Sequence, residues 1–121
     1  MDFEFDFIDG QGRHIKVSEN NYCFQAWHDG HLLGGLEFSY IEGDPPNGDV
    51  LLLVNAHLEK LPGYTGCGIG TAIVEWVAEA YGCPLVVREH DGIVRNDGSH
   101  LTGSGPAFAE AMVARKLMYR Y

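Results

Sequence analysis

The stretch that most constrains this chain runs from Pro62 to Cys83, PGYTGCGIGTAIVEWVAEAYGC. Three glycines at alternate positions, Gly66, Gly68 and Gly70, lead straight into apolar residues at Ile69, Ala72, Ile73, Trp76, Val77 and Ala80. That is the i, i+3, i+4, i+7 spacing of a helix with one core-facing stripe. Glu75 and Glu79 fall off the stripe, and Gly82 supplies the left-handed residue that commonly ends such a helix. The spacing predicts a helix from about Gly68 to Tyr81.

A glycine-rich loop feeding a helix N-terminus is chemically an anion site. Backbone N–H groups converge there, the helix dipole adds partial positive charge, and the missing side chains let a phosphate come close. A P-loop is excluded, because Gly68 is followed by Ile69 and Gly70 rather than by Lys and Ser or Thr. A dinucleotide fingerprint counted from Gly66 reaches Gly68 and then Thr71 where a third glycine belongs; Glu89, about 20 residues on, keeps that option open. A purely structural turn between strand and helix is the remaining alternative.

The pattern P-x-Y-x-G-x-G-I-G-T-A resembles the acetyl-CoA-binding segment of the GNAT N-acetyltransferases, whose usual form is R/Q-x-x-G-x-G/A. Here it reads Thr65-Gly66-Cys67-Gly68-Ile69-Gly70, followed by Thr71, with Thr65 in place of Arg or Gln. The resemblance extends over roughly Tyr22 to Met118. It implies an α+β fold, a mixed and mostly antiparallel sheet with two main helices, and acetyl-CoA as co-substrate cradled by Thr65 to Thr71. It also implies that the strand before the loop splays from its neighbour, pairs with the pantetheine arm and offers a backbone N–H to the thioester oxygen. Two features of the family have no counterpart: the helices that shape the acceptor pocket, and the tyrosine of the last helix, where Val113 stands.

With 121 residues, 45% of them hydrophobic, the chain is expected to form one domain, 1–121, with a core of its own. A net charge of −9, from 17 acidic against 8 basic residues, disfavours nucleic acid and anionic membranes and favours a cationic partner. No apolar run reaches the roughly 18 residues of a membrane span, and MDFEFDF does not read as a leader. The three cysteines, Cys23, Cys67 and Cys83, show no metal-ligand spacing, so no metal is expected. They suit a reducing cytoplasm. Cys67 reads as a small residue in a tight loop rather than as a nucleophile.

Residues 2–8 alternate acidic and aromatic residues, the period of a half-buried strand, with Phe3, Phe5 and Phe7 expected in the core. Asp9-Gly10-Gln11-Gly12 turns the chain into a second strand, His14 to Val17, and Ser18 to Asn21 reads as a break. Strand-like runs at 22–27 and 31–40 flank an Asp29-Gly30 turn, and Gly34-Gly35 point to a bulge or a close backbone approach. The run DVLLLVNAHL, 49–58, is that of a central strand covered on both faces. In it Leu52, Val54 and Ala56 should share one face and Leu53, Asn55 and His57 the other. Pro84 to Arg88 reads as a short buried strand, 89–105 as a loop, and 106–118 as a helix.

The leading expectation is an acetyl-CoA-dependent N-acetyltransferase in which an amine attacks the thioester directly. Its base would be His57, whose ordinary pKa near 6.5 suits proton removal, or Glu59. The acceptor would be an amine-bearing small molecule or peptide. A homodimer is an open option. The competing readings are a non-catalytic domain that binds CoA or a protein partner, and a small interaction protein whose glycines are structural.

Overall fold

The computed structural model describes residues 3–43, 48–57, 68–87 and 105–120. In these residues the strands β1 (Phe5–Ile8), β2 (His14–Asn20), β3 (Cys23–His28), β4 (His31–Ile41) and β5 (Val50–His57) pair antiparallel, each with the next. Then α1 (Ile69–Tyr81) leads to β6 (Leu85–Val87), and α2 (Gly105–Ala114) leads to β7 (Tyr119–Arg120). β6 is parallel to β5, and β7 is parallel to β6. All seven strands form one sheet in sequential order.

This overturns the expected α+β, GNAT-like fold. The described chain is mostly strand, a mixed sheet curled into a half-barrel, with two short helices. The cause is visible up to Ile41, where four strands are joined by connections too short to hold a helix. Asn21-Tyr22 and Asp29-Gly30 are two-residue turns with positive φ at both residues, the geometry that matches the twist of a hairpin. Tyr22, bulky for a φ of 66°, is held by its N–H donating to Glu19 Oε2 at 2.8 Å and by ring packing against Tyr40 and Tyr81. The turn after β1 is built on Asp9, whose carboxylate accepts the N–H groups of Gln11 and Arg13 and pairs with the Arg13 guanidinium at 2.8 Å.

One face of the sheet carries the main core. Ile15, Val17, Phe24, Leu36, Leu51, Leu53 and Leu85 meet Ile73, Val74 and Val77 of α1 and Ala109 and Met112 of α2. Full burial of a side chain of this size is worth roughly 1.5–3 kcal/mol. Trp76 stacks on Phe5 with ring centroids 4.4 Å apart, tying α1 to the first strand. Phe5 and Phe7 pack at the margin of this core, whereas Phe3, expected inside, is exposed. The buried face of α1 includes Val74 and Gly70, which the expected stripe omitted, while Ala80 is exposed.

Two bulges set the details. The pairing Ala26↔Gly34 followed by Trp27↔Leu32 leaves Leu33 without a partner. At Gly35 a Cβ would overlap the carbonyl oxygen of Phe24, so both readings of the glycine pair hold. The second bulge lies between Glu37↔Asn55 and Phe38↔Leu53, which leaves Val54 unpaired. It breaks the expected alternation in β5: Ala56 joins Leu51 and Leu53 in the main core, while Leu52 and Val54 cluster with Val86 on the other face.

The final helix is shorter than expected. Lys116 takes a φ of 62°, and the N–H groups of Leu117 and Met118 return to the carbonyl of Met112. That turn releases Tyr119 and Arg120 into β7 and ends α2 at Ala114, short of the expected Met118.

Candidate functional site

β5 is paired unequally along its two edges. Against β4 its register runs from Val50 to His57, whereas against β6 it consists of Leu51↔Leu85 and Leu52↔Val86, with the Leu51 N–H donating to the Pro84 carbonyl at 3.0 Å. Among the described residues, 53–57 therefore have no ladder partner on the β6 side.

α1 brings its N-terminus to this end of β5. Its last residue, Tyr81, packs on Tyr22 and Phe24, and Leu85 begins β6 beside Leu51 near the start of β5. Thirteen helical residues at 1.5 Å each run about 20 Å back along the strand. Gly68 is the N-cap, with φ 82° and ψ 10°, a left-handed conformation that favours glycine. Its carbonyl accepts the Ala72 N–H at 3.0 Å. Among the described residues no side chain caps the helix and no acidic residue sits in its first turn, so the partial positive charge there is not neutralised from within the helix. Ile69 and Gly70 are buried, and the Thr71 hydroxyl stands 3.5 Å from the Arg115 guanidinium, a long contact that joins the end of α2 to the first turn of α1.

Of the sequence-predicted site, Gly68, Ile69, Gly70 and Thr71 are thus brought together at a helix N-terminus. Thr65, Gly66, Cys67 and Glu59 lie outside the described residues, as does the side chain of His57, whose backbone ends β5 opposite Gly35. Arg115 was not found from the sequence. It is 44 positions from Thr71 and follows a helix whose end carries no glycine signal.

On the sheet face opposite α1, the strands β3, β4 and β5 enclose a cleft of about 220 Å³ lined by Cys23, Gln25, Leu32, Gly35, Glu37 and Asn55 among others. The β4–β5 bulge places Asn55 across from Glu37, and its Nδ2 donates to Glu37 Oε1 at 3.1 Å. Burial, then the charges of Glu37 and Glu19, push the Cys23 thiol up, which favours its protonated form.

At the other end of β4 and β5, the Tyr40 hydroxyl donates to Asp49, whose other oxygen accepts the Gly43 N–H at 3.1 Å. The hydrogen bond to Asp49, then burial, pushes the Tyr40 phenol up to about 12. Bond donation from Tyr40 and Gly43 lowers the Asp49 carboxyl. This cluster fastens the β4–β5 connection.

No protein-family model matches the chain, and no curated protein matches it. Among the described residues no helix is long and apolar enough to cross a membrane.

Proposed function

We propose that the protein binds an acyl-CoA thioester at the carboxyl end of β5 and transfers its acetyl group to an amine. The observations that carry this reading are that, among the described residues, 53–57 have no ladder partner on the β6 side and no side chain caps α1, whose N-terminus lies toward the carboxyl end of β5. An extended pantetheine arm has peptide-like amides that can add to such an edge as a further strand. The pyrophosphate would lie against the first turn of α1, with Arg115 as the nearby cation that Thr65 does not provide. A backbone N–H of the open edge would hold the thioester oxygen as negative charge develops on it, and His57 or Glu59 would take the proton of the attacking ammonium. The similarity of the 65–71 segment to the GNAT cofactor loop supports the choice of CoA.

A second reading, CoA binding without catalysis, is favoured by Val113. It is a half-buried aliphatic residue packed on the main core, at the position where the resemblance to GNAT proteins would put the acid tyrosine of the last helix.

The test is release of CoA thiol from acetyl-CoA in the presence of polyamines, amino acids or lysine peptides. Turnover with an amine supports transfer. Binding without turnover favours the second reading, and no binding at all removes both. Arg115→Ala should weaken CoA binding about tenfold or more, since a hydrogen bond to a charged group is worth about 1.5–3 kcal/mol.

A further inference from the structure

We propose that the cleft between β3, β4 and β5 is a binding site for a primary ammonium group on an unbranched alkyl chain, with the Glu37 carboxylate as its counter-ion. Glu37 is the charged residue of the lining; Gln25 and Asn55 add neutral amides, and Leu32 adds apolar surface, the Leu36 side chain being buried in the main core. The carboxylate is positioned rather than loose, because Asn55, set opposite it by the bulge, donates to one of its oxygens. Glu37 forms no ion pair among the described residues, so it has capacity for an external cation.

The size of the cleft selects the ligand. About 220 Å³ lies below the roughly 300–1,000 Å³ of sites for drug-sized molecules, so it takes the end of a chain rather than a nucleotide cofactor. Between Leu32 and Glu37, Gly34 and Gly35 contribute no side chain to the lining, and the Phe24 carbonyl bars a Cβ at Gly35, so the depression is built into the backbone. An ammonium with a short methylene stem satisfies both parts of the lining: the charge meets Glu37 and the amide oxygens, and the stem meets Leu32. The net charge of −9 favours the approach of such a cation. The proposal rests on the acetyl-transfer reading only in making this amine the acceptor, since the binding itself needs no thioester.

The same chemistry is offered by a free diamine and by a lysine side chain, and the experiment has an arm for each. Backbone amide shifts are followed by heteronuclear NMR while the protein is titrated with 1,4-diaminobutane, with Nα-acetyl-lysine methylamide, and with 1-butanol as a neutral control. The expected result is saturable shifts at Gln25, Gly35, Glu37 and Asn55 with at least one amine and none with butanol. Glu37→Gln, an exposed position whose fold is checked by circular dichroism, should weaken the amine at least tenfold. The tighter of the two amines identifies the source. Absence of shifts with both amines, equal shifts with butanol, or undiminished affinity in Glu37→Gln would overturn the proposal. Acetyl-CoA is absent throughout, so these outcomes judge the cleft alone, and thiol release judges acyl transfer.

Discussion

The two faces of the β3–β4–β5 sheet use the same strands for different ends. On the face under α1, Phe24, Leu36, Phe38, Leu51 and Leu53 are buried against Ile73 and Val77, leaving no room for a ligand. On the other face the intervening residues Cys23, Gln25, Glu37 and Asn55 line a cleft. Strand alternation alone would give that division, but the bulge at Val54 brings Asn55, rather than Val54, opposite Glu37. A sheet can thus be stable through one face and carry polar, exchangeable groups on the other.

The largest effect expected from breaking this division lies on the covered face. Phe24 is fully buried, and its ring meets Phe38, Trp76 and Tyr81 edge-on. Phe24→Ala should lower unfolding free energy by about 3–5 kcal/mol in a urea titration. A loss below 1 kcal/mol would mean that α1 does not pack on this sheet. Gly35→Ala joins the two faces, since its Cβ would meet the Phe24 carbonyl. It should cost about 1–3 kcal/mol as the strand shifts, and weaken amine binding at the same time.

Outside both faces, the turn at Asp9 gives a pH test. Burial would raise this carboxyl, but the hydrogen bonds from Arg13 and Gln11 and the Arg13 charge outweigh it and hold it below its ordinary value. Its contribution is therefore complete above the unfolded value and is lost as pH falls through the folded one. Stability measured from pH 6 to pH 2 should fall less steeply at the acid end in Asp9→Asn than in the parent. At neutral pH Asp9→Ala should cost about 1–3 kcal/mol, because two N–H groups and a guanidinium lose their acceptor. The smallest effect on stability belongs to the open face, where Glu37→Gln should shift unfolding by less than about 0.5 kcal/mol. A larger change would make Glu37 a structural residue.

The hairpins and α1 were legible in the sequence because each rests on local signals: the alternation of Phe5 and Phe7, the Asp29-Gly30 turn, and the helical spacing closed by Gly82. The Asn21-Tyr22 turn was not, since its positive φ at Tyr22 is held by Glu19 and by ring packing from Tyr40 and Tyr81. β7 and the end of α2 were missed because a lysine, not a glycine, takes the left-handed position. The class of the fold was not legible, because the likeness to GNAT proteins is strongest in one loop and helix, whereas the sheet is set by the hairpins that precede them. At the site, glycine spacing placed Gly68 to Thr71 at a helix N-terminus, but Arg115 and the pairing of Glu37 with Asn55 depend on contacts distant in sequence.

The most direct test of the functional account is a calorimetric titration with CoA, paired with amide-shift mapping of the same complex. The account predicts one site per chain, shifts concentrated at Leu53 to His57 and Gly68 to Thr71, and stabilisation of about 2.7 kcal/mol when CoA is at 100 times its Kd. No heat and no shifts at millimolar CoA, or shifts confined to residues distant from the β5 edge, would contradict it.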